Sequence, residues 1–249
     1  LTPEQRQGYV LIVQDPFTSF YDANTVQSMM ELVKRLGLEP ILLPFKPNGK
    51  AQHVKGFLAR FAKTAKSTSD FLNQLAILDM PMIGMDALMV LCYRDEYEKI
   101  LADKRGNFKV LLAHEWLLSF IESDTQFKVS TEQLTEGSVA PFKLFAHCTE
   151  KTALASSEGQ WQDIFSHFGL PLDKVSVGCC GMAGTYGHEK TNLDNSKGLF
   201  ELSWEPKLEQ LAQGQVLATG FSCRSQVKRF SELKARHPVS ALLDAVIAR

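Results

Sequence analysis

Hydrophobic and polar positions along this chain repeat one two-part unit, a short apolar run followed by a longer segment with helical spacing. Tyr9-Val10-Leu11-Ile12-Val13-Gln14 is closed by Asp15-Pro16, which predicts a strand buried on both faces. Val26, Met29, Met30, Val33 and Leu36 then share one face at a 3.6-residue period. A helix should follow, capped at Asp22 or Asn24 and stopped at Gly37. Pro40 to Pro44 predicts the next strand, and Val54, Phe57, Leu58, Phe61 and Ala65 the stripe of another helix. Leu75 to Leu78 and Val110 to Leu112 predict two more buried strands.

The pattern then restarts. Phe142 to Ala146 leads into His147-Cys148, and Trp161, Ile164, Phe165 and Phe168 mark a helix. Val175-Ser176-Val177 leads into Gly178-Cys179-Cys180-Gly181, and Val216-Leu217-Ala218 into Thr219 through Cys223. A last helix starts at Pro238, with Val239, Leu242, Leu243, Val246 and Ile247 inward. The expectation is an α/β fold: two similar open parallel-sheet subdomains flanked by helices, a degenerate internal duplication. The polar stretch from Ser123 to Val139 predicts the boundary, giving a cysteine-poor half, 1–125, and a cysteine-bearing half, 126–249. In this pairing Gly84-Met85-Asp86 stands opposite Gly178-Cys179-Cys180, and Leu112 to Glu115 opposite Ala218 to Phe221.

Composition narrows the function classes. The 249 residues are 45% hydrophobic and 22% charged, an ordinary globular balance. With 27 basic against 28 acidic residues, nothing argues for nucleic acid or an anionic membrane surface. No apolar run approaches the roughly 20 residues that span a bilayer, although peripheral membrane association stays open. Five cysteines, an odd number, suit a reducing cytoplasm better than a disulfide scaffold. The start at Leu1-Thr2-Pro3 reads as a cut inside a longer polypeptide.

Four of those cysteines carry the candidate chemistry. Each of Cys148, the Cys179-Cys180 pair and Cys223 follows a predicted strand. The carboxyl ends of parallel strands are where ligands collect in an open α/β sheet. Glycines 178, 181 and 184 allow the backbone to bend around a bulky inorganic ligand. Thiolates suit an iron–sulfur cluster or zinc, and spacing alone does not separate the two. A redox-active or vicinal disulfide is a further alternative. His147 and His188 are candidate ligands or partners of a ligand sulfur, though a histidine without such a role is the commoner case. Arg224, Lys228 and Arg229 place positive charge beside Cys223. Asp15, Asp86 and His114-Glu115 could line a polar cleft in the first half. Cys92, inside Ala87 to Tyr93, reads as a small core hydrophobe. The chain has no Walker loop, nucleophile elbow or His-Glu-x-x-His, and no Gly-x-Gly-x-x-Gly after its first strand.

The stretch from Gly178 to Glu189 resembles the signature of the cysteine-rich CCG domain family. Asp15 to Phe20, Pro47 to Lys50, Tyr93 to Tyr97 and Thr219 to Gln226 resemble the C-terminal part of large bacterial FAD-linked oxidases of the D-2-hydroxyglutarate dehydrogenase type. The resemblance implies an iron–sulfur electron-transfer domain, with Cys148, Cys179, Cys180 and Cys223 as cofactor ligands. It implies FAD and ferredoxin-like domains upstream, oxidation of a 2-hydroxy acid there, and a quinone or protein as electron acceptor. The chain itself would not turn over the hydroxy acid, and its implied place is the cytoplasm or the inner face of the cell membrane. Ser222 stands where the fullest family pattern has another cysteine, and Asp86 where a first-copy thiol would be. One cluster at most is therefore expected. The alternative is a structural zinc-binding or metal-free scaffold and interaction domain of the same oxidoreductase, with self-association open in either case.

Overall fold

The computed structural model describes residues 2–123 and 140–246. The chain divides into two compact units, 1–116 and 117–247, and the expected boundary at 125/126 lies outside the described residues.

The first unit holds four parallel strands in the order β2-β1-β3-β4. They are β1 (Tyr9–Val13), β2 (Glu39–Leu42), β3 (Met82–Gly84) and β4 (Val110–Leu112). Leu11 lies opposite both Ile41 and Met82, so β1 is central. Its apolar run follows from that place, since Val10, Leu11 and Ile12 are covered on both faces. Helix Ala23–Arg35 turns Val26, Met29, Leu32 and Val33 inward and stops at Gly37, whose φ of 84° a side chain would resist. The second unit holds β5 (Phe142–Phe145), β6 (Leu172–Lys174) and β7 (Val216–Ala218), parallel and in the order β6-β5-β7. The expected fold class, two open parallel sheets flanked by helices, is what the molecule has.

Three elements differ from the sequence reading. Leu75 and Ala76 end a long helix, Leu58–Ala76, and the strand comes later, at Met82–Gly84. Ile77 is 80% exposed, as no buried strand residue would be. The expected helix from Val54 is split, because Gly56 at φ 77° ends Lys50–Val54 before the long helix begins. The sixth strand precedes Val175, which nonetheless continues the ladder by donating to the Leu144 carbonyl at 2.9 Å.

The topology also corrects the pairing of the halves. The central strands β1 and β5 each have the second strand of their unit on one side and the third on the other. The loop after β6, which carries the paired cysteines, therefore corresponds to the loop after β2. The end of β7 corresponds to Asp86 at the end of β3. A fourth position is occupied too: Arg236 bonds alongside β7, with Ala218 N–H donating to its carbonyl at 2.8 Å and its own N–H to Val216 at 3.0 Å. It stands where β4 stands in the first unit.

A candidate thiol site at the strand ends

Helix caps position the site. Asp15 and Asp86 accept from the first backbone N–H groups of helices Pro16–Tyr21 and Ala87–Arg94. In the second unit a histidine takes this part: His147 Nδ1 accepts from Thr149 N–H at 3.2 Å and starts helix Cys148–Ala153. With Nδ1 accepting, the proton sits on Nε2, which donates to Ser222 Oγ at 3.2 Å. His147 therefore ties the loop carrying Cys148 to the helix carrying Cys223. Gly220 makes room for the ring, because a Cβ there would lie 2.3 Å from His147 Cδ2.

The four thiols come together as a row of neighbours. Cys148 lies beside Cys179, Cys179 beside Cys180, and Cys180 beside Cys223. They are not equivalent. Cys148 and Cys179 are partly exposed, whereas Cys180 and Cys223 belong to an apolar core with Phe145, Met182, Phe200 and Trp204. Hydrogen bonds from Cys148 and then Cys180, with backbone N–H groups of Gly181 and Ala183, hold Cys179 well below the usual thiol range against the effect of burial. The same bonds, with burial, push Cys148 and Cys180 up. Cys179 is thus the thiol of the row whose surroundings favour its charged form.

The loop that presents the pair is pinned from several sides. Gln226 donates to the Cys180 carbonyl at 2.8 Å and to Ser196 Oγ at 2.9 Å, and Ser196 donates to the Gly181 carbonyl at 2.8 Å. Trp204 Nε1 donates to the Gly178 carbonyl at 3.1 Å, Lys151 to Val177 at 2.6 Å and Arg229 to Gly187 at 2.5 Å. Gly181 has φ 87°, and a Cβ on it would stand 2.1 Å from the Ser196 carbonyl. The sequence reading missed Gln226, Ser196, Trp204 and Lys151. Only Gln226 had a visible signal, three residues after Cys223 on the same helix.

Other candidates are placed differently. His188 is exposed in the turn Tyr186–His188. Arg224 is buried and donates to the carbonyls of Ala218 and Thr219 at 2.9 and 3.0 Å, so its charge steadies the end of β7. Lys228 is exposed. In the first unit Glu115 pairs with Arg94 and accepts from Leu112 N–H at 2.8 Å, a structural clamp. Burial brings His114 down to about 4, so it stays neutral. Burial first, and then the charge of Asp86, push Asp15 up to about 6. Cys92 is fully buried and its thiol is pushed up by burial, as a core residue's would be.

The donor chemistry suits a sulfur-bound metal, but the arrangement does not. Among the described residues no three His, Cys, Asp or Glu side chains form a group that could hold a metal ion. The thiols meet pairwise and span the range from half-exposed to fully covered.

No family model matches the chain. Over 246 residues it is 56% identical to the D-2-hydroxyglutarate dehydrogenases of Pantoea ananatis and of Escherichia coli K12. Over 247 residues it is 47% identical to that of Haemophilus influenzae. Each match takes in 99% of this chain and 23–24% of the relative, so the chain is homologous to about a quarter of these dehydrogenases.

Proposed function

We propose that this chain is an α/β scaffold and interaction domain of a multidomain, FAD-linked dehydrogenase of D-2-hydroxy acids. The observation that carries this reading is the 56% identity over nearly the whole chain to a segment making up 23% of D-2-hydroxyglutarate dehydrogenases. The pinned thiol loop supports it: the polar groups around Cys179 and Cys180 hold backbone carbonyls. Oxidation of the hydroxy acid belongs to other parts of the parent, where FAD and a ferredoxin-like module would sit. In this reading the halves 1–125 and 126–249 are the cysteine-poor and the thiol-bearing part of that domain, inside the cell. No helix among the described residues is long and apolar enough to cross a membrane.

A second reading is favoured by the donor set itself. Four sulfurs at the carboxyl ends of three parallel strands, in a loop resembling the CCG signature, suit an iron–sulfur relay towards a quinone or protein acceptor. Cys148, Cys179, Cys180 and Cys223 would be its ligands, with His147 and His188 nearby in sequence.

Metal, iron and acid-labile sulfide analysis of the anaerobically purified parent, with and without residues 126–249, separates the two. The scaffold reading expects equal iron and sulfide in both forms and poorer assembly of the truncated one. Loss of a whole cluster's iron and sulfide on truncation would favour the relay and sink the scaffold. In the parent carrying Cys179→Ser, flavin reduction and acceptor reduction should both persist. Loss of acceptor reduction alone would again mark a relay.

A further inference from the structure

We infer that the groove between helix Leu58–Ala76 and the segment 100–104 binds a small amphiphilic anion, a carboxylate or phosphate head on an apolar body. This goes beyond the scaffold reading and does not depend on it.

Three observations carry the inference. The first is the lining. The groove has a volume of about 920 Å³, within the range of small-molecule sites. Ala62 on the helix, with Ile100, Leu101 and Ala102 on the facing segment, makes both walls apolar. The second is uncompensated charge. Lys63 on the helix and Lys104 in the turn Ala102–Arg105 border the same space, and both are exposed. Neither has a hydrogen bond or ion pair among the described residues. Lys66 differs, since Asp70 one turn on is its ion-pair partner. Two like charges from separate elements, beside apolar walls, favour an anionic head between them, and Ser67 adds a hydroxyl donor. The third is a fixed shape. Asn73 joins the walls beyond Asp70: its amide nitrogen donates to the Arg105 carbonyl at 2.8 Å. Its oxygen accepts from Asn107 and Phe108 N–H at 3.0 and 3.2 Å. Phe61 and Tyr97 join them next to Ala62, with ring centroids 5.7 Å apart. Ala102 is held at φ 46°, a conformation that persists only where the surroundings impose it. A groove set in this way loses little on binding.

Binding is non-covalent. The head pairs with Lys63 and Lys104, and the body covers Ile100 and Leu101. Three lysines against one carboxylate keep the surroundings of the head positive. An anionic lipid in a bilayer presents the same head. However, two unpaired lysines pull only weakly on a membrane surface, and the apolar walls are recessed rather than protruding. The occupant is therefore a free molecule.

The test is calorimetric titration of the full chain with octanoate below its micelle concentration, with amide NMR shifts to locate the site. Octanoate and octyl phosphate should bind and shift the amides of Ala62, Ala102 and Lys104. Acetate lacks the body, octanol the charge, and octylammonium has the wrong sign. Each should bind about tenfold more weakly. Lys63→Glu combined with Lys104→Glu should reverse the order of octanoate and octylammonium, which misfolding would not do. Far-UV circular dichroism of that variant should match wild type, since both side chains are exposed. No binding of octanoate, binding that the double reversal leaves unchanged, or shifts confined to other surfaces would each overturn the inference. So would pelleting with phosphatidylglycerol vesicles in the absence of binding to free octanoate.

Discussion

The Gln226 carboxamide and the Cys180 carbonyl meet at 2.8 Å, although 46 residues separate them. The same amide nitrogen reaches Ser196 Oγ at 2.9 Å, so one fully buried side chain joins the thiol loop to two helices. Gln226→Leu keeps the volume and leaves the Cys180 carbonyl without this donor, which costs about 1–3 kcal/mol. Urea unfolding should report that loss, and iodoacetamide should then reach Cys180. An unchanged midpoint would remove Gln226 from its anchoring part.

Gly181→Ala should be more damaging than Gly56→Ala, although both glycines have positive φ. The new Cβ at 181 meets the Ser196 carbonyl, while at 56 it meets nothing within 4 Å. A cost on the order of 3 kcal/mol is expected at 181 against about 1 kcal/mol at 56. Thermal midpoints of the two variants compare them directly; equal shifts would contradict the close approach.

Trp204 stacks on Phe145 at 4.9 Å and also holds the Gly178 carbonyl. Trp204→Phe should keep most of the packing and lose the bond, costing about 1–3 kcal/mol. Trp204→Ala should cost about 3–5 kcal/mol. If the Phe variant is as stable as wild type, the bond from Nε1 contributes nothing.

Asp15 gives a pH dependence in the first unit. Its carboxyl is raised from 3.8 to about 6 in the folded chain, so the native state binds its proton more tightly than the unfolded state. Stability from this group therefore falls as pH rises from 3.8 to about 6, and then levels. Asp15→Asn retains a good helix cap and removes the charge facing Asp86. The variant should gain about 3 kcal/mol over wild type at pH 7.5 and nothing at pH 3.5. Denaturant midpoints at both values check the sign; a gain confined to the acid side would reverse it.

Most strands were legible, because β1, β4 and β7 are unbroken apolar runs and β5 is interrupted by Lys143 alone. β6 was not, since Asp173 and Lys174 are exposed on an edge strand. Leu75 to Leu78 misled because four apolar residues at a helix end look like a short buried strand. That Cys148, Cys179, Cys180 and Cys223 follow strand ends was legible from the parallel-sheet pattern. Their division into an open and a covered pair did not, because it depends on how Phe145, Phe200 and Trp204 fill the space beneath. The pairing of the halves slipped by one strand for a related reason. Order along the chain does not say on which side of the central strand each later strand inserts.

The glycine at position 220 has a cost that its counterpart in the first unit avoids. Asp86 fastens the start of its helix with a side-chain oxygen; Gly220 has no such atom, and the vacated space holds the His147 ring. An aspartate cap and a glycine cap differ by only a few tenths of a kcal/mol. The helix bearing Cys223 is held at its start by side chains, His147 on Ser222 and Arg224 on the Ala218 and Thr219 carbonyls, and further along by Gln226 and Arg229. Amide hydrogen exchange should find its first turn opening more readily than the first turn after Asp86. In that case the buried sulfur of Cys223 has a brief, self-closing route to solvent that the static fold conceals.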